Sequence, residues 1–316
     1  MKRKNKKMKK LFYKWLSKYG DDVPKPLQKG KYIFIFFMAL PALLGLCIWY
    51  FGVNFNSILM AFQDPNTGAL SFINFERLIG DLTSKSSEII PAMLNTFKYF
   101  FLQAFILPVV VYFISYYLFK KVLFNKFFTV MLYIPSIISS VVVITLFKNM
   151  ISPAGPISYL FFKNGHGVLK DYLTDSKTAT SVILFYTFLF SLNGNLLIWI
   201  GTFKRIPDSI FDAGKLDGVS EMQELFLIVT PMVSSTISTL FILGLTGIFT
   251  ATGPILFFTN GAYNTFTINF WLFVQVKDMS TYNYPSAVGL FFTIIGLPIV
   301  LLVWKLTQKF SQEIEY

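Results

Sequence analysis

The sequence predicts an all-α polytopic membrane protein with six transmembrane helices, and three observations carry that prediction. Hydrophobic residues make up 54% of the 316 positions and charged residues only 14%, against about 25% charged in an ordinary soluble domain. The mean hydropathy is +0.58, so the chain lacks the polar surface to cover itself in water. Six apolar stretches, near 32–53, 92–119, 127–147, 181–203, 232–258 and 285–304, each reach the length a helix needs to cross a bilayer, about 20 residues. They read as helices because an open sheet would leave unpaired backbone groups in lipid. Barrel strands would be short and alternating, and these runs are neither.

Two regions follow in order: a basic tail over 1–30 and a transmembrane domain over 31–316. In the tail, Met8, Leu11, Phe12, Trp15, Leu16 and Tyr19 recur at helical spacing, with Lys9, Lys10, Lys14 and Lys18 between them. That pattern suits an interfacial helix on an anionic leaflet, the plainer alternative being a basic tail that only sets orientation. Asp21, Asp22, Pro24, Pro26 and Gly30 make a linker, and the pattern is not that of a cleavable signal peptide. Cys47 stands alone in the first span, which leaves no disulfide framework and no metal cluster.

Basic residues orient the spans. With the N-terminus in the cytoplasm, the inner segments 1–31, 120–126, 203–231 and 305–316 hold twenty of the 28 Lys and Arg, so both termini lie inside. The net charge of +12 is then a topology signal, not a nucleic-acid footprint. The outer loop 54–91 is punctuated by Gln63-Asp64-Pro65-Asn66 and Thr67-Gly68. A second outer loop, 148–180, holds Pro153, Gly155, Pro156 and the single histidine, His166, which reads as exposed.

The inner loop 204–231 carries unusual punctuation. Pro207 and Asp208 suit the first turn of a helix. Gly218 suits the left-handed residue that ends it, and Ser220 with Gln223 forms a capping box that starts another. Pro231 marks entry to the fifth span. This describes a compact helical knob, with small residues Ala213 and Gly214 on its surface, rather than a floppy connection.

These residues resemble the EAA loop of ABC-importer permeases, a Glu-Ala-Ala triplet followed by a glycine and a later Ile-x-Leu-Pro. Here the positions read Asp212-Ala213-Gly214, Gly218 and Ile228-Val229-Thr230-Pro231, with Asp, Gly and Thr as departures. Leu216-Asp217-Gly218 is similar to the sugar-permease branch, and so are Asn95-Thr96, Tyr133-Ile134-Pro135-Ser136, Gly155 and Thr259-Asn260-Gly261. The resemblance implies a type I importer core. It implies that Asp212, Ala213, Gly214, Asp217 and Gly218 meet a cytoplasmic ATPase. It also implies as partners a second homologous permease subunit in a heterodimer, two ATPase subunits, an extracytoplasmic solute-binding protein and a carbohydrate. No cofactor is expected, and the setting is the bacterial cytoplasmic membrane.

The residues themselves agree that energy comes from elsewhere. The chain has no phosphate-cradling Gly-x-x-x-x-Gly-Lys-Ser/Thr loop, and the six apolar stretches contain no carboxylate or histidine for an ion relay. An uncharged cargo path is offered by Ser191, Asn193, Gly194 and Asn195 in the fourth span and by Gly244, Thr246, Gly247, Thr250 and Thr252 in the fifth; the same small residues would also serve helix packing. The competing readings are an ion-coupled secondary transporter or channel subunit, a membrane-embedded enzyme, and the same importer with a polyol or glycerol phosphate as cargo.

Overall fold

A computed structural model describes residues 29–84, 87–247, 252–278 and 282–310. The interfacial helix expected in the tail, up to residue 28, and Thr250 lie outside the described residues. Among the described residues the chain is helical with no strand, only an isolated antiparallel bridge between Gln63 and Leu70.

Two compact units divide the chain, Met1–Ser57 and Ile58–Tyr316. In the first, α1 (Lys29–Gly45) runs through a wider π-helical stretch, Leu46–Gly52, toward α2 (Val53–Ala61). Its polar side chains turn back on their own helix, as an apolar setting requires. Asn54 donates to the Tyr50 carbonyl at 2.6 Å and Ser57 to the Val53 carbonyl at 3.0 Å.

The second unit takes in the end of α2 from Ile58, then α3 (Ile73–Thr83) and the long pair α4 (Ile89–Phe101) and α5 (Leu107–Phe119), joined without interruption by a π segment, Leu102–Ile106. A second π segment, Glu224–Val229, likewise stops just short of a proline: Pro108 follows the first and Pro231 the second. A proline lacks the amide hydrogen and crowds the carbonyl four residues back, so a widened turn before it relieves both problems.

Then come α6 (Asn125–Ile137), α7 (Ser140–Ile151), α8 (Pro156–Lys163), α9 (Ala179–Phe190), α10 (Leu196–Phe203) and α11 (Asp208–Leu216). They are followed by α12 (Glu221–Gln223), α13 (Thr230–Met232), α14 (Ser234–Thr246), α15 (Ile255–Phe258), α16 (Ile268–Asp278) and α17 (Asn283–Phe310).

Among the described residues four helices are long and apolar enough to cross a membrane: Ile33–Ala61, Ile89–Phe119, Ser140–Lys163 and Asn283–Lys305. Glu221–Met232 and Ser234–Thr246 pass the same test as a pair bent by 76°. Among the described residues, then, not all six expected spans are single unbroken helices. The expected third span breaks at Ile138–Ser139, where the backbone goes extended just after Pro135. The fourth breaks at 191–195, because Ser-Leu-Asn-Gly-Asn is a turn sequence and Asn195 takes φ 60°. In the fifth, α14 is described to Thr246, residues 248–251 lie outside the described residues, and α15 is a short piece. Helices also occupy the two stretches read as outer loops, α3 in 54–91 and α8 in 148–180.

Three buried clusters hold the second unit. One joins α5, α10, α11 and the π segment through Tyr112, Trp199, Phe203, Phe211 and Leu225. Another gathers Tyr99, Ile144, Ile183, Tyr186 and Phe258, and a third Leu78, Ile89, Trp271, Tyr284 and Val288. The Asn95-Thr96 pair has a clear structural task between the last two. Asn95 Nδ2 donates to the carbonyls of Asn264 at 2.6 Å and Phe266 at 3.1 Å, and Thr96 Oγ1 accepts from the Ile268 amide at 2.9 Å. Two adjacent side chains thus pin the irregular segment 264–268 to α4, satisfying backbone groups that would otherwise be orphaned.

Candidate functional site

The loop 204–231 folds as its punctuation suggests. Pro207 is extended at φ −60°, ψ 137°, and Asp208 opens α11 with a carboxylate at the positive end of the helix dipole. At the other end Gly218 takes φ +75°. Its amide donates to the Lys215 carbonyl at 3.1 Å, and the Val219 amide donates to the Gly214 carbonyl at 3.0 Å. This is a Schellman ending, which satisfies the last carbonyls and demands a residue tolerant of the left-handed region. Ser220 then caps α12: its Oγ accepts from the Gln223 amide at 3.4 Å, while Gln223 Oε1 accepts from the Ser220 amide at 3.0 Å.

The two faces of α11 differ. Phe211 and Gly214 are buried, whereas Asp212, Ala213, Asp217 and Gly218 are exposed. Asp212 pairs on the surface with Lys215 of the same helix at 3.2 Å. Gly214 corrects the sequence reading, which put it on the outer surface. A Cβ there would stand 3.1 Å from Ile228 Cδ1, so the missing side chain lets α11 lie close on the helix that follows. The outward tip instead carries Leu216, 90% exposed, a large apolar side chain with no cover from its own chain.

Beneath the knob lies a polar connection that the sequence reading missed. Glu224 is only 4% exposed and forms an ion pair with Lys120, the residue that follows α5. Tyr116 donates its hydroxyl to Glu224 Oε1 at 2.9 Å. The Lys120 ammonium also stands 4.9 Å from the centre of the Phe211 ring, within cation–π range. Further along, Thr230 donates to the Leu225 carbonyl at 2.7 Å, which leaves its oxygen to accept from the Tyr112 hydroxyl at 2.8 Å. Thr230, a departure from the expected leucine, is thus matched by a tyrosine. A partial signal was available: Tyr112, Tyr116 and Lys120 recur every four residues along one face of a mostly apolar helix and its end. Glu224 also amends the expectation of spans without carboxylates, since it lies inside the bent pair Glu221–Thr246.

Of the expected cargo-path residues, the structure brings Ser191 to a cavity of about 280 Å³ beside Gln103, Ser140, Thr187, Tyr186 and Phe190. No charged side chain lines it, and the Tyr186 and Phe190 rings stack at 4.5 Å. Asn193, Gly194 and Asn195 form the break between α9 and α10, with Gly194 and Asn195 exposed. Gly244 faces α4–α5: a Cβ there would be 3.5 Å from Ala104 Cα, so it serves close helix packing. Thr246 donates to the Leu243 carbonyl at 2.8 Å, and Gly247 caps α14. His166 is exposed, and among the described residues no group of His, Cys, Asp and Glu is arranged to hold a metal ion.

The fold has close counterparts among solved structures. A bacterial ABC transporter that imports the acidic polysaccharide alginate superposes with a TM-score of 0.78, covering 90% of this chain and 98% of that one at 20% identity. The same type of transporter in complex with a periplasmic protein carrying an alginate pentasaccharide gives 0.77, covering 90% and 96% at 19% identity. This chain shares its fold with these transporter chains.

No family model matches the chain. Curated relatives include the multiple sugar-binding transport system permease protein MsmF of Streptococcus mutans, 26% identical over 199 residues, 60% of this chain and 66% of that one. The polygalacturonan/rhamnogalacturonan transport system permease protein YteP of Bacillus subtilis is 22% identical over 196 residues, 60% of each chain. The arabinooligosaccharides transport system permease protein AraP of the same organism is 21% identical over 280 residues, 86% of this chain and 88% of that one. Against MsmF and YteP the chain thus spans less than two thirds of the relative's length. In sequence and in fold the chain is similar to sugar-type ABC permeases.

Proposed function

We propose that this chain is the membrane-spanning permease subunit of an ATP-driven importer that moves a sugar or oligosaccharide into the bacterial cell. It would sit in the cytoplasmic membrane with both termini inside, beside a second, homologous permease, two cytoplasmic ATPase subunits and an extracytoplasmic solute-binding protein. The observation that carries the reading is the capped, two-faced helix Asp208–Leu216, anchored on its inner face and bare on its outer one.

Asp212, Ala213, Leu216, Asp217 and Gly218 face outward, where they would enter a cleft of the ATPase. Closure of that partner around ATP would favour one of two global states of the permease, and hydrolysis would release it, the shift being set by how differently the partner binds each state. The permease supplies no chemistry of its own. The uncharged cavity with stacked aromatic rings suits a neutral carbohydrate, whose hydroxyls need hydrogen-bonding partners and whose apolar faces stack on rings.

An ion-coupled transporter would need a titratable group free to load and unload at membrane depth. The carboxylate nearest that description, Glu224, is engaged in an ion pair with Lys120 and accepts a hydrogen bond from Tyr116. The deciding experiment reconstitutes the complete complex in vesicles and follows uptake of labelled oligosaccharide with ATP supplied on the ATPase side. Uptake should require ATP, and Gly218→Glu should abolish it, since that position is left-handed and lies on the docking face. Uptake by the wild-type complex driven by an ion gradient without ATP, or undiminished uptake in the variant, would overturn the proposal.

A further inference from the structure

We propose that Lys120 and Glu224 form the strut that carries movement of helix Asp208–Leu216 into the long helix Ile89–Phe119, and that without it ATP hydrolysis runs uncoupled from transport. The inference rests on the importer reading above.

The geometry singles out Lys120. It follows directly on the end of Ile89–Phe119, an unbroken helix of 31 residues. From there it reaches three separate groups: the Glu224 carboxylate on the segment after the knob, the Phe211 ring on the knob itself at 4.9 Å, and the Tyr116 ring at 5.7 Å. Knob, following segment and long helix therefore meet at one ammonium group. The remaining contacts at this junction are mostly aromatic and aliphatic, such as Phe119 against Phe211 with ring centres 5.7 Å apart. Such non-directional contacts can slide past one another at little cost. An ion pair whose carboxylate is buried and also held by the Tyr116 hydroxyl cannot shift without stranding that carboxylate, and fixing register is the best-attested use of buried polar groups.

A second attachment completes the argument. Tyr112, about two turns before Lys120 along the same face, holds Thr230 at 2.8 Å. Two anchors on one face set direction as well as position, so the loop moves with the long helix instead of pivoting about a single point. Lys120 and Glu224 are positioning residues; neither needs to touch cargo or nucleotide.

The test measures cargo transported per ATP hydrolysed by the reconstituted complex carrying Lys120→Met together with Glu224→Gln, which removes both charges and leaves neither partner stranded. The expected result is an assembled complex that hydrolyses ATP while transport per ATP falls about fivefold or more, the lower end of ordinary coupling effects. A wild-type ratio in the assembled variant would overturn the proposal. If that variant does not assemble, Tyr116→Phe decides: it deletes the hydrogen bond to the same carboxylate together with the longer one to the Glu221 carbonyl at 3.3 Å on the same segment, and a reduced ratio supports the strut while an unchanged ratio refutes it. Exchange of the pair, Lys120→Glu with Glu224→Lys, should recover part of the lost coupling, and no recovery in an assembled complex counts against a charge-based strut. Failure of the importer reading shows separately, as absence of ATP-dependent uptake in the wild-type complex.

Discussion

Breaking the Lys120–Glu224 pair one partner at a time should be costly, and unequally so. At contact distance two unit charges attract by about 4 kcal/mol when the effective dielectric constant is about 20. Stranding one member of a buried pair costs about 3–5 kcal/mol. The two partners are not equally buried, however: the Lys120 side chain is 18% exposed and that of Glu224 5%. After Glu224→Gln, the ammonium can swing outward and hydrate, so that change should cost about 2 kcal/mol, below the range for a fully stranded charge. After Lys120→Met, the carboxylate stays enclosed with Tyr116 as its remaining donor, and the cost should be about 4 kcal/mol. The double variant should lose less than the sum of the two, with a coupling of about 2 kcal/mol. The assay is thermal unfolding of the purified complex in detergent, read from this subunit, at about 2–4 °C per kcal/mol. Additive losses, or a larger loss for Glu224→Gln than for Lys120→Met, would refute the reasoning.

Two further substitutions probe the segment that follows α15. Gly261 has φ +85°, and a Cβ there would fall 2.1 Å from a Phe266 ring carbon, so Gly261→Ala should destabilise the complex by about 3 kcal/mol or more, seen as lower yield and melting temperature. Asn95→Ala removes both donors to the Asn264 and Phe266 carbonyls and should cost about 1–3 kcal/mol, with faster amide hydrogen exchange over 264–268 as the specific sign. Unchanged exchange in that segment would show that Asn95 does not pin it.

The helical punctuation of 204–231 was legible because it is local. Pro207, Asp208, Gly218, Ser220 and Gln223 act through neighbours within a turn, and their spacing alone implied the start, the end and the restart that the structure contains. The membrane class was equally legible, since composition reports how much apolar surface must avoid water. The breaks in the spans were less so. Ser191–Asn195 reads as a polar cargo-path patch if the apolar stretch is assumed continuous, and as a turn if it is not; hydropathy averages over the difference.

Chemistry that depends on long-range pairing stayed hidden. Glu224 sits 104 positions from Lys120, and nothing along the chain announces that the two meet. The inward face of Gly214 likewise depends on where Ile228 lies, and the packing role of Gly244 on where Ala104 lies. Short-range rules of backbone sterics and hydrogen-bond capping thus determined the local helices, and hydrophobicity determined the solvent. Which polar groups neutralise one another, and which small residues face a neighbouring helix, was decided only when distant segments packed, because those energies depend on distances that chain order does not specify.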